Sequence, residues 1–193
     1  MTIYNFEQGS EDWLNIRIGK FTGSNFYKFF NGSKETELWK KAAERVTGLR
    51  NDSAIFSNKH IERGHELEEE ARLMYELINQ CNVEEVGFIE LNQDVGCSPD
   101  GLVNDDGMIE IKCRDNHLFL KTKTIGCSKA EIMQMQFNLY VTDRQWCDYI
   151  CYNPNFKDPI FQHRIERVEE IIDMIKIKID EVNEKIKKIT RSL

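Results

Sequence analysis

The stretch Gly96–Lys112, GCSPDGLVNDDGMIEIK, carries residues that could do chemistry: an acid on a turn (Asp100) and, further on, a Glu-x-Lys pair (Glu110, Lys112) in a short apolar run. Two carboxylates suit a hard divalent cation such as Mg²⁺ or Mn²⁺, which favours oxygen ligands. A lysine beside them suits a phosphate, as a compact point charge. Hydrolysis of a phosphodiester needs this mixture. It requires a nucleophilic water and positive charge to meet the negative charge that builds as the bond breaks. Taken alone, the pattern is equally compatible with a simple ion pair on a surface strand.

The surrounding sequence decides whether these groups can meet. Asp100-Gly101 makes a tight turn into Leu102-Val103, and the NDDG of residues 104–107 is a strong hairpin signal. The returning strand is Met108–Cys113. Strand alternation puts Glu110 and Lys112 on one face and Ile109, Ile111 and Cys113 on the other. The hairpin lays Asp100's strand alongside, so that Asp100, Glu110 and Lys112 can converge at one edge.

Two helices offer further groups. A helical pattern over residues 58–79 has an apolar stripe of Ile61, Gly64, Leu67, Ala71, Met74 and Tyr75. Glu62, Glu66, Glu69 and Glu70 fall on its polar side, whereas Glu68 lies on the stripe or its margin. A carboxylate facing the core is costly unless paired or bound to metal, which singles out Glu68. A second helix, from Ala130 to about Thr142, has the stripe Ala130, Met133, Phe137, Tyr140 and Val141. Gln134 sits on that stripe and Gln136 is turned away from it. Gln134 could hold Lys112 or the attacking water.

Near the N-terminus, residues 10–19 (SEDWLNIRIG) read as a capped helix stopped by Gly19, and Thr22-Gly23-Ser24 opens a second. Arg17 and Ser24 flank that junction, a candidate anion pocket. On composition alone, a solvated arginine and two ordinary caps is the favoured reading. Further expectations are a helix over 35–49, a strand over 83–91, a basic short helix and loop over 114–129, strands over 146–152 and 160–165, and a final helix over 168–190 with a lysine-rich end. This order implies one α/β domain spanning 1–193, with a small mixed central sheet flanked by helices.

Composition sets bounds. Charged residues make up 31% of the 193 and the net charge is −7, which counts against a protein that coats nucleic acid non-specifically. Acids gathered at a metal site are themselves part of that count. The six cysteines include no C-x-x-C pair and the four histidines are dispersed, which disfavours a zinc or redox centre. No G-x-S-x-G, Walker loop or G-x-G-x-x-G is present. No apolar run is long enough for a membrane span and the N-terminus carries no secretory signal, so a cytoplasmic protein with reduced thiols is expected.

Several blocks, GSEDWLNIRIGKFTGS, RGHELEEEAR, CSPDGLV, GMIEIKC, QMQFNLYVT and WCDYICYNP, occur in this order through most of the chain. Together they resemble the phage lambda exonuclease branch (YqaJ-type viral recombinases) of the PD-(D/E)XK nucleases. The resemblance implies a restriction-endonuclease-like core. It implies metal ligation by Asp100, Glu110 and the backbone carbonyl of Ile111, with Glu68 as the helix acid near the metal. Lys112 would be the catalytic lysine and Gln134 the first glutamine of a Q-x-Q motif. A 5′-phosphate pocket would map to Arg17, Ser24 and Ser98.

The resemblance further implies an enzyme using Mg²⁺ or Mn²⁺, with two ions, that digests linear double-stranded DNA 5′→3′. The 3′ overhangs would serve a single-strand annealing protein. Family members form a ring-shaped trimer around DNA, and the setting would be bacterial cytoplasm, with a phage or virus gene. Two features depart from the pattern: Cys113 is followed by Arg114 where family members often have proline, and the chain is short. A nuclease of the same fold acting as an endonuclease or on single strands is an alternative. So is a catalytically silent DNA-binding or protein-interaction module, though the intact Asp100, Glu110 and Lys112 set argues against it.

Overall fold

The computed structural model describes residues 1–51 and 58–191, with side chains described for all of these except 58–65. Its larger sheet has the order β2-β5-β6-β7-β8, formed by β2 (Val83–Glu84), β5 (Gly101–Val103), β6 (Gly107–Cys113), β7 (Trp146–Tyr152) and β8 (Ile160–Glu166). Three of its pairings are antiparallel and β6–β7 is parallel. The reason lies in the connections. The NDDG turn, with Asn104 at φ 49°, folds β5 back on β6. Between β6 and β7 run two helices, α5 (Asn116–Ile125) and α6 (Lys129–Thr142), which supply the long crossover a parallel pair needs. Every residue of β7 is buried, as expected of a strand covered on both faces. Gly107 is required by close approach, because a Cβ there would lie 2.0 Å from Trp146 Cζ2.

A second, three-stranded antiparallel sheet has the order β1-β3-β4, from β1 (Thr2–Tyr4), β3 (Phe88–Asn92) and β4 (Val95–Cys97). The single strand expected over 83–91 is therefore two strands, β2 and β3, in different sheets. Their separation follows from the N-terminal segment crossing between them: a Cβ on Gly87 would stand 2.1 Å from Phe6 O.

Helix α6 lies at the centre, touching β3, β4, β7, the short α2 (Gly23–Phe26) and α7 (Glu169–Thr190). This corrects the one-sided stripe expected for it. Met133, Met135, Gln136, Phe137, Asn138, Leu139, Val141 and Thr142 are all buried. Gln136, expected to turn away from the core, donates to Glu166 O at 2.7 Å and accepts from Val168 N at 3.0 Å. A helix packed on all sides has no solvent face for its polar residues, so each must find a partner inside.

The remaining helices are α1 (Glu11–Ile16), capped by Ser10, α3 (Lys34–Thr47), ending at Gly48 in the left-handed region, and α4 (Asn58–Asn79). Phe21, Phe26 and Phe137 are fully buried where α2 meets α6, each worth roughly 1.5–3 kcal/mol of burial. Helix α4 packs on β6 and β7 through Ala71 and Tyr75; the side chain of Ile61 and the burial of Gly64 in the expected stripe lie outside what is described. The six cysteines are free thiols, and among the described residues no helix is long and apolar enough to cross a membrane.

Candidate active site

Strand β6 presents Glu110 and Lys112 on one face, as its alternation requires. Glu110 is 1% exposed, so its carboxylate depends on protein donors. Three supply them. Lys112 Nζ and Gln134 Nε2 both donate to Oε1, and Asn138 Nδ2 donates to Oε2 at 3.4 Å. Gln134 and Asn138 are one turn apart on α6, which places both amides over the same carboxylate. Asp100 is fixed to the same strand from the hairpin side: its Oδ2 accepts from Ile111 N at 2.6 Å, and its own N–H donates to Ile109 O at 3.3 Å.

The acids feel one another. Burial pushes Glu110 up to about 7, with Lys112 opposing and Asp100 adding to the rise. Burial likewise raises Asp100, against the pull of Lys112 and the Ile111 N–H. Glu68, on α4, is also lifted to about 7 by burial and then by Asp100, with Arg72 and Lys112 opposing. For Lys112, burial favours the neutral amine, but Glu110 and Asp100 outweigh it and leave the ammonium more persistent than usual.

Each carboxylate is turned toward a protein partner. Glu68 faces Arg72 at 3.5 Å, and Arg72 also pairs with Glu85 at 2.8 Å. Glu68 and Arg72 line a cavity of about 540 Å³ that also reaches Asp100. Among the described residues no three acids, histidines or cysteines stand at metal-cage spacing. The donor set nonetheless fits a hard divalent cation. Asp100, Glu110 and Glu68 are hard oxygen donors whose ionised forms are disfavoured by burial and mutual repulsion, a deficit of positive charge that such an ion would correct.

Beside the acids lies the anion pocket. Arg17 Nη1 donates to Ser98 Oγ and Nη2 to Ser24 Oγ, both at 3.1 Å, and the guanidinium lies 4.0 Å above the Trp13 ring. Trp13 Nε1 in turn donates to Ser98 Oγ at 2.9 Å and to Gly87 O at 3.0 Å. Among the described residues no carboxylate pairs with Arg17, and burial lowers its pKa to about 10. A guanidinium held by neutral groups in a desolvated place has capacity for an anion. Helix α2 is only four residues long, so the pocket owes its character to the arginine and hydroxyls rather than to a helix dipole.

The two sets share one cleft of about 160 Å³, lined by Trp13, Arg17, Ser24 and Ser98 at one end and Asp100, Glu110, Lys112 and Gln134 at the other. A profile described as YqaJ-like viral recombinase domain matches residues 12–145, which span both ends of this cleft. The chain belongs to this family.

Solved structures agree with that membership. An alkaline exonuclease, LHK-Exo from Laribacter hongkongensis, is 33% identical with a TM-score of 0.82, covering 95% of this chain and 97% of that one. Its complex with dAMP aligns at 34% identity and a TM-score of 0.83, over the same shares. A phage related exonuclease from Haemophilus somnus 129PT, at 17% identity, has a TM-score of 0.65 over 90% of this chain and 96% of that one, a likeness of fold. No curated protein sequence matches the chain.

Within the YqaJ-like site, sequence reading overlooked Trp13, Thr22, Arg72 and Asn138. Asn138 was within reach, since it follows Gln134 by four residues and so shares its face. Arg72 follows Glu68 by the same interval. Trp13 precedes Arg17 by the same interval and lies beneath its guanidinium, and Thr22 stands two residues before Ser24. Thr22 is buried against the cleft as the cap of α2, its N–H donating to Asn25 Oδ1 at 3.4 Å.

Proposed function

We propose that this chain is a metal-dependent deoxyribonuclease that digests linear double-stranded DNA from 5′-phosphorylated ends, in the 5′→3′ direction, leaving 3′ overhangs for strand annealing. The observation that carries the reading is the single cleft shared by Arg17, Ser24 and Ser98 with Asp100, Glu110 and Lys112. Membership of the YqaJ-like family and likeness to an alkaline exonuclease support it.

Arg17 with the hydroxyls of Ser24 and Ser98 would bind the terminal phosphate and hold the strand end. Lys112 would place its charge against the phosphate to be cleaved, where negative charge grows in the transition state. Gln134 and Asn138 keep Glu110 from rotating. Asp100, Glu110 and the Ile111 carbonyl, with Glu68 behind them, are the groups that would hold Mg²⁺ or Mn²⁺, as two ions in the fullest form. Bound there, such an ion would supply positive charge at the phosphate and acidify the attacking water. Assembly as a homotrimer, and delivery of the product to a single-strand annealing protein in bacterial cytoplasm, complete the proposal.

The test is incubation of end-labelled linear duplex with and without Mg²⁺, comparing 5′-phosphate with 5′-hydroxyl ends and linear with closed circular DNA. Mg²⁺-dependent release of nucleotides from the 5′-phosphorylated end is the expected result. Equal cutting of closed circles would make the chain an endonuclease, and no release under any divalent cation would remove the enzyme reading.

A further inference from the structure

Asn138 and, one turn before it, Gln134 reach from Glu110 to the α2 side of the cleft. Asn138 is 2% exposed; its Nδ2 donates to Glu110 Oε2 at 3.4 Å, and the other side of its amide lies against Gly23. A Cβ on Gly23 would stand 2.3 Å from Asn138 Oδ1 and 3.1 Å from Gln134 O, so α2 can seat on α6 only because residue 23 lacks a side chain. The next residue in α2 is Ser24, whose hydroxyl receives Arg17. The short path Glu110–Asn138–Gly23–Ser24 thus fixes the distance between the cleaving carboxylate and the pocket for the strand end.

We propose that Asn138 is a positioning residue that couples end recognition to cleavage: it holds Glu110 in register with the pocket that grips the 5′-terminal phosphate. The proposal rests on the function proposed above. In its absence an end bound at Arg17 would still bind, but would no longer bring its reacting phosphate into register with Glu110. The consequence is specific. Turnover should lose its dependence on the 5′-phosphate while the affinity for ends persists.

The experiment measures kcat and KM on linear duplex with 5′-phosphate and 5′-hydroxyl ends, in Mg²⁺, for wild type, Asn138→Ala, Gly23→Ala and the double variant. Loss of one hydrogen bond to a charged group predicts that Asn138→Ala lowers kcat on 5′-phosphorylated ends by about tenfold to a hundredfold. KM should stay within about twofold, and the kcat ratio between the two ends should fall toward one. Gly23→Ala should reproduce this pattern with every polar group of the cleft retained. The double variant should lose less than the product of the two single losses, because the added methyl then no longer meets the Asn138 amide and keeps only its contact with Gln134 O.

Asn138→Ser, which keeps a donor in a smaller side chain, and anisotropy measurements of end binding with Ca²⁺ distinguish lost coupling from lost folding. An Asn138→Ala enzyme with wild-type end preference overturns the proposal, as does a double variant whose losses multiply. If wild type itself releases nothing with Mg²⁺, the function proposed above fails. If wild type cuts and these variants cut alike, only the coupling role fails.

Discussion

Ser98 Oγ accepts hydrogen bonds from Arg17 Nη1 at 3.1 Å and Trp13 Nε1 at 2.9 Å, two positions before Asp100 in the chain. One short segment is therefore bound at one end to the anion pocket and at the other to strand β6, through the Asp100–Ile111 hydrogen bond. This rigid link between Arg17 and the acids makes the cleft testable residue by residue.

Lys112→Ala should reduce Mg²⁺-dependent cleavage by about 10²–10³-fold or more, the scale for removing a charge aimed at a transition state. Lys112 is 27% exposed and sits at the end of a strand, so the variant should still unfold in one cooperative transition. Parallel rate measurements and thermal melts check both halves.

Arg17→Ala should act differently. The guanidinium contacts hydroxyls and a ring, far from Lys112's role, so its loss should slow 5′-phosphorylated substrates by about tenfold to a hundredfold. Rates on 5′-hydroxyl ends should change by less than about threefold. Competition between the two substrates in one tube reads the difference directly, and an equal loss on both would detach Arg17 from end recognition.

Glu131 gives a pH-dependent stability effect away from the cleft. Burial pushes its carboxyl up, but hydrogen bonds from Ser128, Tyr149 and Arg114 overcome this and hold it at about 2. The folded pKa lies below the ordinary value, so its contribution is complete above about pH 4.5 and is lost as pH falls through about 2. Glu131→Gln should lower the melting temperature by about 4–8 °C near pH 7, for roughly 2 kcal/mol of charge-assisted hydrogen bonding. The gap between variant and wild type should narrow below pH 4.5, which paired melts at pH 7 and pH 3 would reveal.

Asp148 is fully buried on β7, accepting two hydrogen bonds from Arg164 at 2.8 Å, one from Tyr75 OH at 2.8 Å and one from Gln162 at 3.1 Å. Asp148→Ala leaves that guanidinium and hydroxyl without their acceptor, a change that costs about 3–5 kcal/mol in comparable buried pairs. A drop of about 10 °C in melting temperature is expected. Cleavage per folded molecule should remain near wild type, since the network sits on α4 and β8 away from the cleft.

Glu110, Lys112 and Asp100 were legible in the sequence because alternation and one hairpin are local rules, and local rules determine which faces they share. Gln134 was found by helical periodicity, but the same rule misplaced Gln136, since α6 is buried around its whole circumference. The split of residues 83–91 between two sheets was hidden for another reason. It is imposed by Phe6 crossing Gly87, a contact between segments about eighty residues apart. Strand β1 is three residues long and partly exposed, too short for any pattern to show. Arg17 and Ser24 stood out as a candidate anion pocket from the helix junction they flank, but Ser98 joined them only through family resemblance, because nothing in residue type or spacing ties position 17 to position 98.

The long separations within the cleft also bear on how it is made. Trp13, Arg17 and Ser24 come from the first part of the chain, Ser98 to Lys112 from the middle, and Gln134 and Asn138 from beyond the crossover that joins the parallel pair β6–β7. Such non-local closure is paid in chain entropy and is slow, because loops must shut before the contacts that reward them exist. Helices α6 and α7 can form early from neighbouring residues. The Arg17 half of the cleft must wait for α2 to find α6 across more than a hundred residues. A refolding population would then regain helical signal first and the Arg17 contacts with Ser24 and Ser98 last.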